Sequence, residues 1–226
     1  MVSAFDCLRA NRAELAVAVN DKINNDMTPE DFTTLLLAAR DDETLDALLE
    51  EHVFSVVPYI FREDRRAYRR FLSLLSRSLS VDRESIAVVG SAGIGFSLAP
   101  QKYPTLIRPD SDVDIVIVSQ RWFDISWLEI LRSTSRRSRL SDTERKYLDE
   151  HKDKNYVFGG WIWPDRITRV LLVGTPWFAA FRDLPRVTGM MDRSFGGRIF
   201  RTWDHARQYY RGSLHVIRQN LERRQA

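Results

Sequence analysis

Two aspartates stand two residues apart in Ser111-Asp112-Val113-Asp114, directly ahead of the apolar run Ile115-Val116-Ile117-Val118. On a strand, residues at that spacing project to one face. Two carboxylates crowded on one face repel each other unless a cation lies between them. They are hard oxygen donors, suited to Mg2+ or Mn2+. Upstream, Ile86-Ala87-Val88-Val89 reads as a buried strand that ends at Gly90-Ser91. Gly93 and Gly95 come soon after, so the backbone there can approach another group closely. Amides of such a turn, with the Ser91 hydroxyl, are donors for phosphate oxygens. Together these groups describe a seat for a metal-bound polyphosphate. Two metals bridged by the carboxylates would align the attacking and leaving oxygens of an in-line displacement.

The elements that must position these groups are a strand, a Gly-Ser turn, a short helix, a loop carrying Pro100, Pro104 and Pro109, and a second strand bearing the Asp-x-Asp pair. In that order, Gly90-Ser91, Gly95 and Asp112-Val113-Asp114 resemble the signature of the polymerase-β-like nucleotidyltransferase superfamily. The resemblance covers Ser85–Ser119. It implies an α/β (α+β) fold, a small mixed sheet flanked by N-terminal and C-terminal helices. It also implies an NTP or dNTP bound through Gly90 and Ser91 as its Mg2+ complex. Asp112 and Asp114 would be metal-binding and catalytic, and attack at the α-phosphorus would release pyrophosphate. The connection through Phe96–Arg108 is longer than the family usually has, which leaves room for a specificity loop.

The resemblance calls for one further acid, brought from a later strand to the Asp-x-Asp pair. The candidates are Asp124, Asp142, Asp149, Asp153, Asp165, Asp183, Asp192 and Asp204. Tyr156 to Asp165 is aromatic and β-branched and reads as a strand interrupted at Gly159-Gly160. Asp165 alone ends such a strand, so it is taken as the third catalytic and metal-binding acid. The alternative is that Pro164-Asp165 is a turn, with Asp165 capping the segment after it.

Composition sets the outer limits. In 226 residues the apolar share is 44% and the charged share 29%, which fits a globular chain. A single cysteine, Cys7, excludes an internal disulfide and points to a reducing, cytoplasmic setting. MVSAFDCLRANRAELA lacks the pattern of a signal peptide, and no apolar run is long enough to span a bilayer, so no membrane is expected. The four histidines have no metal-ligand spacing. Net charge is +3, but residues 1–60 hold 12 acids against 4 bases, whereas residues 182–226 hold 10 arginines against 4 acids. Either the C-terminal arginines (Arg198, Arg201, Arg207, Arg211 and Arg218 among them) meet a nucleic-acid or oligonucleotide acceptor, or the two regions pair with each other.

Along the chain, helices are expected over residues 3 to 20, from an N-cap at Thr28 to near Arg40, and over Glu43 to His52. These define an N-terminal helical cap, residues 1–60, ahead of a catalytic core, residues 61–226, the two forming one unit. Glu63 to Leu79 is a helix with an apolar stripe and an arginine-studded opposite side. Trp122 to Leu131 is a helix, Arg132 to Arg139 a basic loop, and Ser141-Asp142-Thr143-Glu144 a capping box. Val170 to Val173 reads as one more strand, Phe195-Gly196-Gly197-Arg198 as a turn, and Arg201 to Arg224 as a final helix interrupted by Gly212.

The chain is small for a template-gripping polymerase, so the expected activity is template-independent transfer to an oligonucleotide, an RNA end or a protein side chain. The architecture is similar to nucleotidyltransferases of bacterial toxin–antitoxin and anti-phage defence systems, some of which act through a protein partner or effector. The competing reading is a catalytically inactive sensor or antitoxin that binds a nucleotide or nucleic acid.

Overall fold

The computed structural model describes residues 27–135, 138 and 140–225. The helix expected over residues 3 to 20, Cys7, and three arginines of the 132–139 stretch lie outside the described residues. A four-stranded mixed sheet runs through the middle. Its strands are β1 (Ile86–Val89), β2 (Val113–Val118), β3 (Trp161–Ile162) and β4 (Phe195–Phe200), in the order β1-β2-β4-β3. β1 is antiparallel to β2, β2 parallel to β4, and β3 antiparallel to β4. The α+β class expected from the sequence is the class observed.

Side chains alternate across the sheet and build two cores. Ile86, Val88, Val113, Ile115, Ile117 and Ile199 face one way, onto α3 (Arg65–Leu79) and α8 (Gly174–Thr188). Ala87, Val89, Val116, Phe200 and Trp161 face the other way. That second face is covered by α1 (Pro29–Ala38), α2 (Asp42–Leu49) and the long α9 (Trp203–Gln225). The described part of the N-terminal helical cap therefore shares a core with residues of all four strands.

Local sequence explains most helix boundaries. Thr28 accepts the Asp31 N–H, and Pro29 opens α1, where its missing N–H costs nothing. Asp64 caps α3 by accepting the Arg66 and Ala67 amides. Ser141 and Glu144 form the expected capping box on α6 (Asp142–Asp153). In α9, Ala206, Tyr210, Leu214 and Ile217 are buried as the sequence period requires, and Gly212 does not interrupt the helix.

Three expectations fail for identifiable reasons. Phe195-Gly196-Gly197-Arg198 is no turn but the start of β4, an inner strand of the sheet. Two adjacent glycines lower strand propensity, yet Gly197 is packed so that a Cβ would meet Ile115 O at 2.9 Å and Phe181 Cζ at 3.0 Å. Of the strand expected over Tyr156 to Asp165, only Trp161–Ile162 is β structure. Tyr156 to Gly160 forms turns, and Pro164 starts the short helix α7 (Pro164–Ile167). Val170 to Val173 is not a strand; Thr168–Val170 is a 3-10 turn, with Leu171 and Val173 buried after it.

Candidate functional site

The sheet collects the ends of its antiparallel partners at one edge. β1 finishes where β2 begins, and β3, paired with Phe200 and Ile199, runs toward the start of β4, so the chain after β1 and after β3 approaches groups that precede or open β2 and β4. Asp114 is in register with Val89 on β1 and with Gly196 on β4. Gly90 comes after Val89 with φ +63°, a left-handed conformation that glycine adopts without strain. It starts α4 (Gly90–Ile94) against Asp114: a Cβ on Gly90 would lie 3.6 Å from Asp114 Oδ2. Half-buried Ser91 is the next residue.

Asp112 is exposed and lies just before β2. Its neighbours are pinned: Ser111 O accepts from Arg193 Nη1 at 2.8 Å, and the Val113 N–H donates to Ser194 O at 2.8 Å. Asp114 is on the sheet face shared with Val116, as the alternation requires, and Asp112 lies near it just before the strand.

Asp165 reaches the same edge by another route. It sits in the first turn of α7, the turn reading the sequence left open, not at the end of a long strand. The Arg201 N–H donates to Gly160 O, so by alternation the Gly197 N–H points to the same side of β4. β3 is too short to accept it there, and Asp165 Oδ2 does so at 2.9 Å. Trp163 Nε1 donates to the same oxygen at 3.3 Å, and Trp177 Nε1 donates to Oδ1 at 2.5 Å. His151 holds this turn from behind. Its Nε2 accepts the Trp163 N–H at 3.0 Å, so Nδ1 carries the proton and donates to Tyr147 O at 2.7 Å.

Two cations complete the electrostatics. Arg198 Nη1 lies 3.7 Å from Asp114 Oδ1, and the Arg198 guanidinium stands over the rings of Trp161, Trp163 and Tyr209 at 5.7, 5.0 and 5.6 Å. Its Nε is buried with no hydrogen-bond partner among the described residues. Lys102, from the long loop between α4 and β2, is close enough to Asp114 to favour its ionised form.

The Asp114 side chain keeps 52% of its surface open, yet burial is the main cause that pushes its carboxyl above the usual range. Arg198 pulls the pKa back, while the carboxylates of Asp112 and Asp165 push it further up. Burial also raises Asp165, against the pull of its three N–H donors and Arg198.

Asp112, Asp114 and Asp165 are thus neighbours, with Gly90 and Ser91 beside them. Asp112 and Asp114 offer hard oxygens near one another, which fits a divalent cation. Asp165 fits less well, because both its oxygens already accept N–H groups. Among the described residues no group of three or more His, Cys, Asp or Glu side chains is arranged to hold a metal ion. Sequence reasoning missed Trp163, and it named Arg198 only as an acceptor-binding arginine, not as a partner of Asp114. A Gly-Gly-Arg run gives no periodic signal, and Trp163 lies in an aromatic stretch that resembles core.

Of the C-terminal arginines, Arg198 lies at this site, and Arg201, Arg207, Arg211 and Arg218 go elsewhere. Arg207 pairs with Glu50 at 3.1 Å and Asp204 at 2.7 Å, and Arg211 with Asp46 at 2.9 Å and Asp42 at 3.5 Å. Arg218 donates to Ala39 O at 2.6 Å, and Arg201 pairs with Asp124 at 3.0 Å. The charge asymmetry along the chain is, for Arg207 and Arg211, internal pairing with the acidic helix α2 and the turn after it. No helix among the described residues is long and apolar enough to cross a membrane.

No family model, no curated protein and no solved structure matches this chain.

Proposed function

We propose that the chain is a metal-dependent, template-independent nucleotidyltransferase that moves a nucleoside monophosphate from an NTP or dNTP to a hydroxyl acceptor. The observation that carries this reading is the meeting of Asp112, Asp114 and Asp165 at one sheet edge, beside the Gly90-Ser91 turn. Asp112 and Asp114 would hold Mg2+ or Mn2+, which when bound neutralises polyphosphate charge and polarises the reacting phosphoryl group. The Gly90-Ser91 turn presents its backbone and hydroxyl to phosphate oxygens. Arg198 and Lys102 add positive charge on the side of Asp114 and orient an anionic substrate. Asp165, fixed by Trp163, Trp177 and Gly197, supplies a rigid negative charge near the acceptor's hydroxyl. An oligonucleotide, an RNA end and a protein side chain all offer such a hydroxyl. A role in bacterial anti-phage defence, acting through an effector protein, is consistent with this chemistry.

A second reading rests on a separate observation. The Arg198–Asp114 pair and the saturated oxygens of Asp165 give the acids counter-charges of their own. A site already neutralised in this way suits a nucleotide-binding sensor or antitoxin without turnover. Incubation with each labelled NTP and dNTP plus Mg2+ or Mn2+, and then separation of protein, nucleic-acid and small-molecule products, distinguishes the two. Transfer that is lost in Asp112→Asn and Asp114→Asn supports the enzyme. Tight nucleotide binding with no labelled product under any metal supports the sensor.

A further inference from the structure

On the side of the molecule away from the acids, α3 and the end of α8 form a groove of about 490 Å³ lined by Arg66, Arg69, Arg70, Arg77, Ser73 and Val187 together with Leu74. The four arginines are exposed. They recur at helical spacing along one side of α3, so the stripe is about 16 Å long at 1.5 Å rise per residue. Arg83 reaches the same place, where its Nη2 donates to Ser73 Oγ at 2.8 Å. From these residues we infer that the groove docks the phosphodiester backbone of a nucleic-acid strand.

The helix itself argues that an anion belongs here. Its first turn holds no acidic residue and instead carries Arg65 and Arg66, which oppose the helix dipole. In its N-terminal half Arg65, Arg66, Arg69 and Arg70 fall three and four residues apart and repel one another. One acid intervenes: Asp64 lies 3.8 Å from Arg70, with both side chains about half exposed, but its carboxylate is already spent on the Arg66 and Ala67 amides. Among the described residues no carboxylate pairs with Arg69 or Arg77. Arg211 of α9 makes the contrast, since Asp42 and Asp46 of α2 neutralise it. A bound polyanion relieves both the dipole conflict and the like-charge repulsion on α3.

The groove chemistry selects the class of partner. No aromatic side chain lines it, so there is no platform on which bases could stack. What remains is planar guanidinium donors at regular spacing, which read phosphates and not sequence. An acidic peptide offers charge too, but phosphates match the bidentate guanidinium fork at every repeat of the strand.

Position gives the site its role. α3 and α8 pack on the Ile115 face of the sheet, whereas Asp114 projects from the opposite face, with Asp112 near it. The groove therefore does not lead into the acids. It anchors a strand to the outside of the protein, whether or not the acids transfer a nucleotide.

The test is fluorescence anisotropy of the full chain with a labelled single-stranded oligonucleotide of mixed sequence, DNA and RNA in turn, without metal or nucleotide. Wild-type protein should bind both, with a log–log salt slope of about −0.7 for each phosphate neutralised. Arg69→Gln with Arg77→Gln should weaken binding and flatten the slope by about 1.4. Arg211→Gln, in the internally paired set, should leave the slope where it was. Asp112→Asn with Asp114→Asn should bind like wild type, which keeps this result separate from the fate of the transfer reaction. Circular dichroism of each variant should be unchanged, because the replaced groove side chains are exposed. Absence of binding at low salt, or an unchanged slope in the groove variant, overturns the proposal. So does displacement by polyglutamate as effective as by unlabelled strand, which would assign the groove to acidic peptides.

Discussion

Gly196 lies against Asp165: a Cβ built on Gly196 would meet Asp165 Oδ2 at 3.3 Å. The carboxylate is held there by three N–H donors, so it cannot swing aside without losing one of them. Gly196→Ala should therefore displace Asp165 while sparing the fold, since alanine in a strand is otherwise favoured by about 0.5–1 kcal/mol over glycine. Transfer or nucleotide binding should fall at least tenfold, with a melting temperature close to wild type. Gly197→Ala is the counterpart. Its Cβ would press on Ile115 O and the Phe181 ring, so it should lower stability by about 1–3 kcal/mol. Equal melting temperatures for the two variants would contradict this assignment of the glycines.

His151 supports the same turn from the interior. It is 1% exposed, and burial is the main cause that lowers its pKa below the ordinary 6.5. A lowered folded-state value means that the unfolded chain takes the proton first. The contribution to stability is then fully present above about pH 6.5 and is lost as pH falls through the folded-state value. Protonation also removes the Nε2 lone pair that accepts the Trp163 N–H. Thermal melts taken from about pH 7.5 to about pH 5.5 should show falling stability in wild type. His151→Gln should be less stable by about 1–2 kcal/mol at neutral pH and have a flatter dependence. Parallel pH profiles would remove His151 as the cause.

Asp114 has the opposite linkage. Its carboxyl is raised above 3.8, chiefly by burial, so the folded chain holds that proton more tightly than the unfolded one. The stability contribution is present at low pH and declines as pH rises through the folded-state value. Asp114→Asn cannot ionise. The melting temperature of Asp114→Asn minus that of wild type should therefore increase from about pH 4 to pH 7. Comparing the difference, and not either melting temperature alone, cancels the titration of other groups; the Arg198 contact strengthens as Asp114 ionises and is already part of the folded-state value. A constant difference would place the Asp114 carboxyl in an ordinary, unstrained setting.

The paired aspartates and the Gly-Ser turn were legible because strand alternation and turn chemistry are local. Asp114 is on β2 and Gly90-Ser91 follow β1 as their spacing implied, whereas Asp112 falls just before the strand and Gly90 already opens α4. The α3 and α9 stripes were legible for the same reason, with Phe71, Leu75, Tyr210 and Leu214 buried. β4 was not. Its glycines are required by Ile115, Phe181 and Asp165, which lie far away in sequence, so nothing nearby reports them. Asp165 was reached by elimination among acids, but the strand meant to carry it shrank to Trp161–Ile162, because Pro164 lacks the N–H that a ladder needs. The role of the C-terminal arginines depended on which surface they met. Residue counts left both outcomes open until Asp42, Asp46 and Glu50 were seen beside them.

The long loop between α4 and β2 carries the last prediction. It leaves and returns through the Phe96–Leu106 bridge, the Ser97 N–H to Thr105 O bond and the Ile107 N–H to Gly95 O bond. Its tip is tied to α1 by Tyr103, whose hydroxyl donates to Pro29 O at 3.2 Å and lies 2.5 Å from Thr33 Oγ1. The neighbouring Lys102 is held by its N–H to Ala99 O and its carbonyl to the Thr105 N–H. This frame keeps an exposed ammonium within electrostatic reach of Asp114. If the acids seat a polyphosphate, Lys102 meets its outer oxygens. Lys102→Met should then weaken nucleotide binding about tenfold, or about 1.4 kcal/mol, in equilibrium titrations with a non-hydrolysable nucleotide. Thr33→Val loosens the Tyr103 tie without touching the site, so it should weaken binding in the same direction but by less. Should Lys102 instead only screen the acids, Lys102→Met would leave nucleotide affinity unchanged and raise the Asp114 carboxyl further, a shift that carbon-detected NMR titration of the aspartates would register.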